Sequence, residues 1–114
     1  MAPVSVLLLA ACASVPVEPT KWKLEPVSLY DSGYEQGTEI ISVQPSTLRA
    51  VLSNFESGEV DLLDVSHPQK LHRSARFSLG VSKAEELTSV AFHPSADLFA
   101  AVVDAGTQRG RLEI

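Results

Sequence analysis

The sequence is poor in the residues that usually announce chemistry. Its single cysteine, Cys12, leaves no pair for an intramolecular disulfide and no cluster for zinc or an iron–sulfur centre. Its three histidines, His67, His72 and His93, show no H-E-x-x-H or H-x-H spacing, so no metal site of known type is expected. Among six glycines there is no G-x-S-x-G elbow, G-x-x-x-x-G-K loop or G-x-G-x-x-G fingerprint. Basic charge is also scarce: nine Lys and Arg against fourteen Asp and Glu give a net charge of -5, which argues against a sequence-independent grip on nucleic acid phosphates. No apolar run is long enough to cross a bilayer as a helix, which takes about 20 residues. The chain of 114 residues has room for one small domain, stabilised by burial alone.

The longest apolar run, Val4–Ala11 (VSVLLLAA), precedes the first charged side chain, Glu18, and fits the apolar core of a secretory signal. It ends in Leu9-Ala10-Ala11-Cys12, which resembles the bacterial lipobox. On that resemblance residues 1–11 are a lipoprotein-type signal peptide. Cys12 then becomes the acylated first residue of the mature chain and fixes it to the cell envelope. The start, Met-Ala-Pro, lacks the basic residue that signals usually carry. Two other readings stay open: an A-x-A cut at Ala11-Cys12-Ala13 that secretes a soluble chain from Ser14, and a buried amino-terminal strand with a free thiol. Residues 12–29, with Pro16 and Pro19, read as a tether. Lys21, Trp22 and Lys23 are expected to begin a first strand.

From residue 30 to 114 short apolar runs alternate with turn signals at intervals of about 8 to 12 residues, the spacing of an all-β domain. Strands are expected at 39–44, 48–54, 59–65, 71–79, 88–92, 98–103 and 111–114, with 82–87 forming no more than a turn. Gly58 is expected to take positive φ in a hairpin, and the polar middle of 71–79 marks an outer strand. The pattern repeats. Pro45-Ser46 matches Pro94-Ser95, Leu48-Arg49-Ala50 matches Leu98-Phe99-Ala100, Asn54 matches Asp104, and Gly58 before Val60 matches Gly110 before Leu112. A four-stranded unit repeating at 40 to 50 residues is the signature of a β-propeller, in which neighbouring blades bury each other's faces. The expected fold is therefore all-β, a partial β-propeller of about one and a half blades of four-stranded antiparallel sheet. Ala50, Ala100 and Ala101 suit the crowded side of the fan.

The stretches GTEIISVQPS (37–46), LRAVLSN (48–54), GEVDLLDVSHP (58–68) and LTSVAFHP (87–94) resemble the opening blades of the choice-of-anchor I family. These are exported propellers of the broad YVTN and WD-type group. The resemblance implies architecture and export and carries no catalytic residues; His67 stands where the family has an acidic residue, so no role of that acid transfers. It also implies that the chain is the amino-terminal fragment of a larger ring.

The remaining polar candidates are read as structural. Glu59 and Asp61 share one face of a strand and Asp64 lies on the other, so the three cannot form one acid–base site and are expected to be solvated edge charges. Glu85-Glu86 reads as a solvated loop. Tyr30, Asp31 and Tyr34 are expected to pack or anchor a loop, with a binding surface as the alternative. The histidines are expected to cap turns. The sequence thus points to a lipid-anchored binding or structural module without catalytic, cofactor or metal residues. Its expected partners are the membrane through Cys12 and a protein along an exposed blade edge. Two competing readings stand: the amino-terminal part of an exported propeller hydrolase or quinone-dependent dehydrogenase whose site lies in other blades, and a small self-contained β-sandwich in which the repeat is coincidental.

Overall fold

The computed structural model describes residues 21–35, 37–106 and 109–114. The signal segment, Cys12 and the first part of the tether lie outside the described residues. Seven strands are formed, β1 (Thr38–Gln44), β2 (Arg49–Asn54), β3 (Glu59–Asp64), β4 (His72–Ser78), β5 (Glu86–Phe92), β6 (Phe99–Asp104) and β7 (Arg111–Glu113), with no helix among the described residues. They make two antiparallel sheets in simple meander order, β1-β2-β3-β4 and β5-β6-β7. The fold is all-β, and the expected strands agree with those observed to within about two residues.

Each hairpin follows from its turn chemistry. Proline at position 45 cannot donate to a ladder, and the chain reverses over Pro45–Leu48, with Leu48 in the left-handed region at φ 52°. Gly58 closes the β2–β3 turn at φ 66°, as its sequence context requires, and its amide hydrogen-bonds the Asn54 carbonyl at 2.9 Å. In the β5–β6 turn the His93 ring nitrogen Nδ1 accepts hydrogen bonds from the amides of Ser95 and Ala96, at 3.1 and 2.8 Å. The expectation that this histidine caps its turn is met. β4, polar and mostly exposed, forms the outer edge of the first sheet.

The strand expected at Lys21–Lys23 does not form. Trp22 is 94% exposed, and no strand pairs with this segment. The alternation of charged and apolar residues suits a strand, but a strand exists only where a partner edge satisfies its backbone groups.

The two sheets share one core. Val51 and Val60 of the first sheet meet Leu87, Val90 and Ala101 of the second, with Leu62, Phe92 and Phe99 packed around them. At roughly 1.5–3 kcal/mol per fully buried large apolar side chain, this layer is the main favourable term for both sheets. The turns align as well: Gln44 Nε2 donates to the carbonyls of His93 and Ala96, at 2.5 and 2.9 Å.

The structure also sets the phase of the repeat. Gln44 pairs with Arg49 across the first hairpin, and the His93 amide bonds the Leu98 carbonyl at 2.9 Å across the second. Both turns therefore hold four residues, 45–48 and 94–97, and a gapless offset of 49 lays Gln44–Asn54 on His93–Val103. Leu98 is thus the counterpart of Arg49, one residue out from the expected match of Leu48 with Leu98. A one-residue bulge falls at the same place in both first strands, opposite the span 52–54 in one sheet and 102–103 in the other.

Candidate functional site

The most developed polar constellation covers the face of the first sheet that points away from the second. Strand alternation puts Ala50, Leu52, Asn54, Asp61 and Leu63 on this face, and the cross-strand partners of β4 add Arg76. Residues 30–34 lie over it: Tyr30 packs on Ala50, Leu52 and Leu63, and its hydroxyl donates to Asp61 Oδ2 at 2.7 Å. Arg76 grips the same carboxylate at two points, Nε to Oδ1 at 2.6 Å and Nη2 to Oδ2 at 2.8 Å, and also donates to the Ser32 carbonyl at 2.8 Å. Glu59 accepts from the Tyr34 hydroxyl at 2.6 Å and lies 3.5 Å from Arg76, whose guanidinium stacks 5.0 Å from the Tyr34 ring centre.

Asp61 is fully buried. Burial by itself raises a carboxyl pKa, but the hydrogen bonds from Arg76 and Tyr30 outweigh it and hold Asp61 below the ordinary carboxylate value. Asn54, also completely buried, lies close enough to favour the charged form, while its own amide atoms fall short of hydrogen-bond geometry. The Tyr30 phenol is pushed up by burial and by its bond to Asp61. The Arg76 guanidinium is raised by Asp61.

This arrangement corrects one expectation and fulfils another. Glu59 and Asp61 do share a face, but they are not solvated edge charges, because β3 is interior to the sheet and β4 places a cation opposite Asp61. The tyrosines anchor a loop. Asp64, half-buried like Glu59, is held below the ordinary value by hydrogen bonds from the Ser66 hydroxyl and amide. Glu85 is not free in solvent either: Arg111 Nη1 bonds it at 2.5 Å. The Asp61 constellation was missed because its cation and its tyrosines are distant in sequence. Arg76, on a strand following three carboxylates, was the available signal.

A carboxylate with both oxygens committed to a bidentate guanidinium and a phenol has neither a proton to donate nor a site to take one near neutral pH. The constellation is a clamp between a loop and a sheet. A second feature is an open cleft of about 440 Å3 between the sheets, floored by Leu62, Phe77, Phe92 and Phe99, with Arg49 at its rim paired to Asp97 at 2.7 Å. Among the described residues no group of three His, Cys, Asp or Glu side chains is placed to hold a metal ion, and no helix is long and apolar enough to cross a membrane. No family model matches the chain, and no curated protein or solved structure is significantly similar to it.

Proposed function

We propose that the chain supplies two consecutive blades of an exported β-propeller, held at the cell envelope through acylated Cys12, and that it serves as a binding or structural module. The observation that carries the propeller reading is the way the sheets stack. The first sheet presents Val51, Ser53, Val60 and Leu62 to its neighbour, whereas the second presents Phe99, Ala101 and Val103, the counterparts of Ala50, Leu52 and Asn54 on the first sheet's opposite face. The contact is head to tail. A contact between unlike faces regenerates itself with every added unit and closes into a ring if the rotation allows, while a sandwich of two like faces stops at two.

The second sheet's outer face supports the same reading. Val102 and Leu112 there are exposed, at the place where a further blade would pack. The resemblance of residues 37–94 to choice-of-anchor I propellers, and the lipobox-like Leu9-Ala10-Ala11-Cys12, are consistent with export.

Two measurements test the proposal. Extending the chain by further repeat units in its own genomic frame raises the unfolding midpoint with each unit, as covering a blade face adds one more interface. A frame without the repeat, or an unchanged midpoint, defeats the propeller. Palmitate labelling of cells marks the chain, and Cys12→Ser abolishes the label; label that persists in the variant defeats the anchor.

A further inference from the structure

An apolar segment and a basic turn meet at one end of the first sheet. Residues 21–29 run outside both sheets, and each of their large apolar side chains is bare: Trp22 is 94% exposed, Leu24 99%, Val27 57% and Leu29 91%. Apolar side chains left in a row at the surface mark an interaction site. Ser28 Oγ donates to the Pro68 carbonyl at 2.5 Å, which holds the segment against the β3–β4 turn. That turn lies in the longest stretch of the chain without an acidic residue, 65–84. Arg76 of this stretch is committed to Asp61, but Lys70, Arg73, His67 and His72 are exposed around the turn. Of the acids at this end, Glu25 is paired with Lys23 and Asp64 accepts from Ser66. A chain of net charge -5 thus carries a basic end beside its barest apolar residues.

We infer that this end of the protein docks on an anionic lipid surface, with Trp22 and Leu24 entering the interface and Lys21, Lys70 and Arg73 lying against the headgroups. The residue types suit that division. Tryptophan combines a large apolar ring with an indole N–H and settles at the boundary between headgroups and acyl chains. Lys and Arg lay their apolar stems along such a boundary and keep their charge among the phosphates, an attraction that salt screens. The Lys23–Glu25 pair lets the segment approach without an uncompensated carboxylate. Docking in this way turns the β2–β3 turn, at the opposite end of the first sheet, away from the membrane.

The choice of a membrane as the occupant rests on the proposed acylation of Cys12. Trp22 follows Cys12 by ten residues, a span of about 35 Å at full extension, so acyl chains on Cys12 keep the segment within reach of the bilayer they enter. A tethered contact can be weak and still be occupied, because the anchor raises its effective concentration. At its other end the segment is fixed to the fold by Ser28 and, two residues on, by the Tyr30 hydroxyl on Asp61. Insertion of Trp22 therefore seats the first sheet on the membrane by its β3–β4 end, where a tether alone would leave it free to tumble.

The test uses the full chain carrying Cys12→Ser, so that the outcome does not depend on acylation. Trp22 is the only tryptophan, and its emission reads the segment directly. Vesicles of mixed phosphatidylglycerol and phosphatidylcholine are expected to shift the emission to the blue, and lipids brominated just below the headgroup are expected to quench it. Co-sedimentation and the shift are both expected to fall several-fold with phosphatidylcholine alone, and in a chain bearing Lys21→Glu and Lys70→Glu. Both lysines are exposed and lie outside the Asp61 clamp, so the fold is kept in that variant. Emission that stays at the exposed position with vesicles present overturns the proposal, even where the chain sediments through residues 1–11. Equal shift and sedimentation of the charge-reversed chain overturn it as well. Because this chain is unacylated, a failure here is read separately from a failure of palmitate labelling at Cys12.

Discussion

Three donor atoms converge on the Asp61 carboxylate, two from Arg76 and one from Tyr30, and together they fasten residues 30–34 to the outer face of the first sheet. Removing one partner leaves a buried, uncompensated charge, so Arg76→Met is expected to destabilise the fold by about 3 kcal/mol in urea unfolding, against about 1 kcal/mol for Tyr30→Phe. The pH dependence has a definite sign. Because the folded-state value of Asp61 is depressed, its contribution is present above the ordinary carboxylate value of 3.8 and is lost as pH falls below it, through the lower folded value. Urea midpoints measured between neutral pH and pH 2 should fall in that window, and Asp61→Asn should lower the neutral-pH midpoint and flatten the acid limb. The pairing of Glu59 with Asp61 on one face was legible from strand alternation. The partners were not, because Tyr30 and Arg76 reach Asp61 only once β4 and the preceding loop are folded against β3.

At the scale of the element, turn chemistry was the most legible feature. Gly58, expected to need positive φ, has it, at 66°. Its second role comes from a distant contact: a Cβ at this position would lie 2.5 Å from the Val81 Cβ, where the chain leaves the first sheet for the second. Gly58→Ala should therefore cost about 2 kcal/mol or more, through backbone strain added to steric overlap, measured as a shift in the urea midpoint. Gly80→Ala is a useful comparison, since φ is 62° there but no atom lies within 4 Å of the added methyl; it should cost about 1 kcal/mol, the strain alone. Lys21–Lys23 shows the limit of reading strands from alternation. The pattern states which face a strand would turn inward and says nothing of whether an edge is available to receive it.

For the whole molecule, the repeat visible in the sequence became informative when its phase was fixed. A match of Leu48 with Leu98 would make the sheets meet through equivalent faces. The gapless offset of 49 makes them meet through unlike faces, because one residue along a strand exchanges its two sides. That distinction separates a closed two-layer sandwich from a stack that can be extended, and it rests on the four-residue hairpins at 45–48 and 94–97. The same stacking leaves Val102 and Leu112 exposed on the outer face of the second sheet.

By itself the sequence determined the all-β class, the order and approximate bounds of the strands, the turns and the near-50-residue repeat. All of these depend on local rules: side-chain alternation, the missing amide of proline and the freedom of glycine. Only the tertiary structure decided that Asp61 is a buried clamp, that the sheets stack head to tail, and that Lys21–Lys23 forms no strand. Those outcomes depend on which residues meet across 15 to 49 positions of chain, and no local pattern encodes that.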